Sequence, residues 1–282
     1  MRPTEAAHLQ RKANEIRINI IKMLHAAKSG HSAGSLGIAD ILTALYFKVI
    51  NHKPEKPDWK GRDYVVLSHG HVCPALYATM AKVGYFPEEE LMSLRKLGSR
   101  LQGHPHREEL PGLETSSGPL GCGLSQAAGM ALALKMNKKK NKVYCLTSDG
   151  EHQEGNIWEG MMLAAKYKLN NLICILDRNF IQIDGNTEDI MPLGKLKEKY
   201  FDFGWNVIET DGHDIEKLLQ AFEKSKTEKE KPTMIIAKTI PGKGVSFMEN
   251  NHKWHGKAPN DQEMQKAIKE LLKLNSKGKE KW

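Results

Sequence analysis

Between Val143 and Leu176 the hydrophobic period of the chain changes twice, and this limits the folds open to it more than any other feature. Val143 to Thr147 and Leu172 to Leu176 are short apolar runs of strand length. The stretch Ile157 to Tyr167 between them instead sets Ile157, Met161, Ala164 and Ala165 along one face of a helix. Strand, helix and strand in one crossover make a βαβ unit, which is right-handed and leaves both strands parallel. Further strands at Asn206 to Glu209 and Thr233 to Ala237 enclose a helix with Ile215, Leu218, Leu219 and Phe222 at helical spacing. The alternation predicts an α/β fold, a doubly wound and mostly parallel sheet with helices on both faces.

The flanks extend the pattern. Ile16, Ile20, Met23 and Leu24 recur at helical spacing within Ala6 to Ala27, and Ser29-Gly30 stops that helix. A second helix is expected over Ile38 to Phe47, a strand over Asp63 to Leu67 and a helix over Ala75 to Lys82. The last helix opens with Asn260 and Glu263 in capping-box spacing and turns Met264, Ala267, Ile268, Leu271 and Leu272 inward. With no repeat and no linker, residues 1–275 read as one domain and 276–282 as a charged tail.

Composition excludes several classes. The 40% apolar content suits a globular core, and no apolar run approaches the roughly 20 residues that cross a bilayer. A net charge of +8 raises a nucleic-acid reading, but the lysines scatter over 138–142, 224–231 and 277–281, where solvated surface is the simpler account. The basic, amphipathic start resembles a presequence, yet Glu5 and Glu15 interrupt its charge. Cys73, Cys122, Cys145 and Cys174 fall singly and read as reduced residues of a cytoplasmic protein.

In open parallel sheets ligands bind at the carboxyl ends of strands. Two such ends stand out: Ser148-Asp149-Gly150, and Asp177-Arg178-Asn179-Phe180-Ile181. One right-handed crossover joins them, so Asp149 and Asn179 are expected side by side. An Asp-Gly after a strand is commonly just a turn. As a pair, however, the carboxylate and amide oxygens, with a backbone carbonyl and two phosphate oxygens, nearly fill the octahedron magnesium prefers.

Ser148-Asp149-Gly150 followed by Asn179 resembles the thiamin diphosphate motif, with serine for its first glycine, and Glu151-His152-Gln153-Glu154-Gly155 resembles its transketolase form. Five further motifs follow the order of the transketolase family: Ser29-Gly30-His31, Leu67-Ser68-His69-Gly70-His71, Gly103-His104-Pro105, Gly118-Pro119-Leu120-Gly121-Cys122-Gly123 and Trp254-His255-Gly256. The resemblance implies that Asp149, Asn179 and the Ile181 carbonyl bind a divalent metal, magnesium (Mg2+) or else calcium or manganese. It places Gly150, His71 and His255 against the cofactor, and Gly118, Pro119 and Leu120 beside its aminopyrimidine. Ile183 would pack on the thiazolium, although a strand-end isoleucine is more often core. Cys122 stands where that loop often carries glutamine. His31, His104 and His255 would handle protons, a task suited to a group titrating near neutrality. Glu154 would bond across a subunit interface; the plainer reading is charge stabilisation of a helix N-terminus. His69 and His252 are weaker candidates, and His106, His152 and His213 are expected on surface or loops.

The reaction so implied transfers a two-carbon ketol unit from a ketose phosphate to an aldose phosphate. In that family a glutamate facing the aminopyrimidine comes from a pyrimidine-binding domain, which does not follow here. The resemblance therefore implies a C-terminal partner subunit supplying that domain, in an α2β2 assembly. The rivals are a deoxyxylulose phosphate synthase-like or 2-oxoacid dehydrogenase-like subunit, against which the histidines speak, and a non-catalytic relative.

Overall fold

The computed structural model describes residues 3–277, with the side chains of residues 5–275. The chain begins with α1 (Pro3–Ala27), α2 (Ser32–Gly37), α3 (Ala39–Ala44, continued by a π-helical turn, Leu45–Val49), β1 (Tyr64–Leu67) and α4 (Cys73–Lys82). It continues through α5 (Cys122–Met136), β2 (Val143–Ser148), α6 (Gly155–Lys166) and β3 (Leu172–Arg178). A small hairpin, β4 (Ile181–Gln182) and β5 (Gly185–Asn186), leads to α7 (Thr187–Ile190), α8 (Leu196–Asp202), β6 (Asn206–Asp211), α9 (Ile215–Thr227), β7 (Thr233–Lys238) and α10 (Asp261–Lys277). The last helix thus runs past Asn275, and the rest of the expected tail, 278–282, lies outside the described residues.

The five main strands form one parallel sheet in the order β1-β2-β3-β7-β6, as the alternation predicts. Successive strand side chains enter opposite layers. Tyr144 and Leu146 join the core beneath α1, α3, α4, α9 and α10, whereas Val143 and Cys145 join the one beneath α5, α6 and α8. All four cysteines are free.

The helix α5 has no counterpart in the sequence reading, because its pattern is nearly flat. Leu124, Ala127, Ala128 and Ala131 face the core, but the outward face carries Gly129 and Ala133, too small and apolar to mark a polar side. The capping box of α10 forms as expected: the Glu263 N–H donates to Asn260 Oδ1 (2.9 Å) and the Asn260 N–H to Glu263 Oε2 (2.8 Å). Leu272 is a correction: it is 54% exposed, one position off the buried stripe through Ala267 and Leu271.

A buried polar hub ties the N-terminal helices to the segment after β7. Arg17 pairs with Asp40 and donates from Nε to the Leu36 carbonyl (3.0 Å). His213, in a loop as expected, is not a surface group: it joins this hub, with the Ile240 N–H donating to its Nε2 (2.7 Å). Nδ1 therefore carries the proton and donates to Asp40 Oδ2 (2.7 Å). Burial works to raise the Asp40 pKa, but Arg17 and His213 overcome it and hold the carboxyl at about 2. Asp40→Ala leaves the buried Arg17 guanidinium without its counter-charge, so the expected loss is about 3–5 kcal/mol of stability, read by denaturant unfolding.

Candidate active site

Every strand of the parallel sheet points its carboxyl end the same way, and there the site assembles. Ser148 and Asp177 are register partners on β2 and β3, which brings Asp149 and the Asn179 segment together. Asp149 has no exposed surface. Its Oδ2 accepts from Arg178 Nη1 (3.0 Å) and the Phe180 N–H (2.7 Å), whereas its Oδ1 is buried without a hydrogen-bond partner. Burial pushes this carboxyl up to about 7, Asp177 adds to the rise, and Arg178 opposes it. A bare oxygen of this kind is costly unless something answers it, and a cation does so.

Asn179 is held from both ends of its amide. Its Nδ2 donates to Asp177 Oδ2 (2.8 Å) and its Oδ1 accepts the Ile181 N–H (3.0 Å), leaving a second lone pair on that oxygen. Asp177 also accepts from the Thr239 hydroxyl, so the amide is locked to β3 and to the segment after β7. One carboxylate, one amide and a backbone carbonyl are hard oxygen donors, a set that fits magnesium with a diphosphate completing the shell. At Gly150 an added Cβ would lie 3.3 Å from that of Gln182, so glycine keeps the backbone close to the hairpin.

Above this floor opens a cleft of about 340 Å³. His31, His71, His104, His255, Gly118, Leu120, Gly150, Glu154, Asn179 and Ile181 all line it. Of the expected residues Pro119 does not; it is exposed outside the cleft, and Asp149 lies beneath the wall. Ile183 is 65% exposed at the cleft, and so is not the core residue its strand-end position suggests.

His31, His71 and His255 come from three segments yet form one ring cluster, and the exposed His104 lines the same cleft. Ring centroids lie 4.9 Å apart for His31 and His71, 5.1 Å for His71 and His255, and 5.6 Å for His31 and His255. Burial, with His255, Arg95 and His104 adding, lowers His31 to about 4. Desolvation also lowers His71, His104 and His255 from the usual imidazole value, which favours the neutral ring at pH 7. His69, weak in sequence, is a full member: it is buried, its Nδ1 donates to the Leu146 carbonyl (3.1 Å), and its Nε2 has no partner.

Two residues are placed otherwise than expected. His152 is buried and not at the surface, with Nδ1 donating to the Ser148 carbonyl (2.6 Å) and Nε2 against the Tyr200 hydroxyl. Glu151, which the sequence marks only as part of a motif, is buried and ties three segments together. It accepts from the Ser68 hydroxyl, the Gly121 N–H (2.8 Å) and the Ser148 N–H (3.1 Å). Burial raises it to about 7 against those three donors. Glu154, by contrast, is exposed at the start of α6, and its carboxylate accepts no hydrogen bond among the described residues.

An open parallel sheet with hard oxygen donors beneath a histidine-lined cleft defines an α/β diphosphate-binding protein. The description "Transketolase, thiamine diphosphate binding domain" matches residues 8–279. The chain is 40% identical to an apulose-4-phosphate transketolase subunit of Phocaeicola vulgatus over 95% of its length and 94% of that relative. It is 42% identical to the 6-deoxy-6-sulfo-D-fructose transketolase subunit SqwG of a Clostridium species over 94% of its length and 96% of that relative. The solved transketolase of Leishmania mexicana superposes with a TM-score of 0.84 at 31% identity, covering 96% of this chain and 45% of that one. This chain belongs to the transketolase family, as the N-terminal, thiamin diphosphate-binding section of such an enzyme.

Proposed function

We propose that this chain is the N-terminal subunit of a two-chain transketolase, acting on sugar phosphates in the cytoplasm with a C-terminal subunit in an α2β2 assembly. The observation that carries it is the neutral histidine cluster set over the Asp149–Asn179 floor. Thiamin diphosphate, when bound, supplies the carbon nucleophile that takes a two-carbon ketol unit from one sugar to the next. Asp149, Asn179 and the Ile181 carbonyl would hold the metal, with Gly150 and His71 at the diphosphate and Gly118 and Leu120 beside the pyrimidine. His31 Nδ1 and His69 Nε2, buried and unpartnered, would meet substrate or cofactor polar groups, and His104 and His255 complete the lining. Neutral imidazoles accept protons from sugar hydroxyls.

The partner is supported by relatives named as subunits, which the chain matches over 94–96% of their own length. The outward faces of α5 and α6 agree, with Met136, Met162 and Leu163 exposed. Unpaired cysteines support the compartment. These transketolase-named relatives favour this reading over a synthase-like or dehydrogenase-like subunit.

The test is ketol transfer from xylulose 5-phosphate to ribose 5-phosphate, assayed with this chain alone and with the product of the adjacent reading frame. Transfer is expected only with both; full activity of this chain alone would overturn the two-chain reading. In the complete enzyme the acid limb of kcat/KM is expected below the usual histidine value of about 6.5. The sign follows from the depressed histidine pKa values, which keep the proton-accepting form populated as pH falls. A limb above that value would contradict the assignment.

A further inference from the structure

Arg95 lies outside every motif above, yet it joins two of them. Its Nη1 donates to Ser29 Oγ (3.1 Å), two residues before His31, and its Nη2 to the Gly103 carbonyl (3.2 Å), one residue before His104. The contacts are built in from both sides. An added Cβ at Gly103 would sit 2.8 Å from the guanidinium carbon, and one at Gly30 would sit 3.7 Å from Nε. Gly30 also needs its freedom, since its φ is +129°. The flat guanidinium therefore fits between two glycines, in a space no larger residue at position 103 leaves open.

The backbone of Arg95 is fixed as well. Its N–H donates to the Leu101 carbonyl (2.9 Å) and its φ is +60°, a left-handed conformation uncommon for a residue with a side chain. Such a conformation persists only where the surroundings determine it. The Gly103 segment is held from behind by Tyr77, whose hydroxyl donates to the Gln102 carbonyl (3.0 Å), and by Cys73. Arg95 binds the same segment to the loop that carries His31.

We propose that Arg95 is a positioning residue whose guanidinium clamps the Ser29–His31 and Gly103–His104 segments and so fixes the spacing of His31 and His104 across the cleft. This rests on the reading of those histidines as proton-handling groups. The arrangement needs two donors at a set angle, which guanidinium offers and an ammonium does not. Its charge acts in the same direction, because Arg95 adds to partial desolvation in favouring the neutral ring of His104, and His31 meets Arg95, His71, His104 and His255 together.

Three variants separate clamp from charge. Arg95→Met removes both, Arg95→Lys keeps the charge, and Ser29→Ala removes one arm. In the two-subunit enzyme Arg95→Met is expected to lower kcat about 100-fold, the order that a misplacement of about 1 Å costs. Arg95→Lys should recover less than about tenfold of that loss, and Ser29→Ala should lose about threefold to tenfold, with thiamin diphosphate affinity changed less than about twofold in all three. Full recovery by lysine, or a fall in thermal midpoint with kcat intact, would overturn the clamp. The second readout needs no activity: in this chain alone, with 13C-labelled histidine, the ring signals of His31 and His104 should shift together in Arg95→Met and in Ser29→Ala. Unchanged ring signals would overturn the clamp even if ketol transfer is never observed, and shifted signals in an inactive wild type would leave it standing while the functional reading fell.

Discussion

Asp149→Ala is expected to abolish magnesium-dependent binding of thiamin diphosphate and to leave the fold in place. The carboxylate is wholly buried, and one of its oxygens has no donor, so the native chain bears a desolvation cost that a cation would relieve. Alanine removes the cost along with the ligand. Arg178 keeps its second partner, Glu188 (2.6 Å), so the variant does not strand a buried cation. The expected outcome is a loss of at least about 100-fold in cofactor affinity in the presence of magnesium, beyond the range typical of removing groups that only orient a ligand. Unfolding should change by less than about 1 kcal/mol, since the lost bonds and the relieved desolvation oppose one another. Titration calorimetry with magnesium and with chelator checks it; equal affinities for variant and native chain would refute the metal assignment.

Glu151→Ala has the opposite signature, a large loss of stability together with a loosened site. One buried carboxylate accepts from the end of β1 (Ser68), the end of β2 (Ser148) and the turn into α5 (Gly121). Removing it leaves two backbone N–H groups and the Ser68 O–H without an acceptor, at about 1–3 kcal/mol each, although the Ser68 oxygen still accepts from the Gly123 N–H (3.1 Å). Local relaxation recovers part of this, and a net loss of about 3–5 kcal/mol is expected by denaturant unfolding, in the range reserved for broken buried networks. Freed Gly121 should also release the loop through Gly118 and Leu120, which line the cleft, so protease cleavage there should accelerate. Glu151→Gln, which keeps an acceptor but turns an NH2 toward one of the donors, should fall between. A variant as stable as the native chain would show that these bonds are replaceable.

The sequence by itself determined whatever depends on near neighbours. The period changes around β2, α6 and β3, the stripe of α9 and the cap of α10 are local, because strand pleat, helical turn and capping span only a few residues. The pairing of Asp149 with Asn179 was legible for the same reason, since a single crossover leaves the carboxyl ends of its two strands together. Family motifs carried the individual histidines.

Only the tertiary structure decided what those residues meet. The order β1-β2-β3-β7-β6 puts the segment after β7 beside Asp177 and His213, and no local rule fixes that order. Burial of His152 and Glu151, and the clamp by Arg95, lie in pairings between distant segments, which propensity does not register. α5 escaped because Gly129, Ala133 and Met136 interrupt the polar residues of its outward face, leaving its inward face with little contrast. The histidine cluster is the clearest case: three separate turns each carry an ordinary imidazole, and only their convergence at one edge of the sheet packs the rings of His31, His71 and His255 together and favours their neutral form.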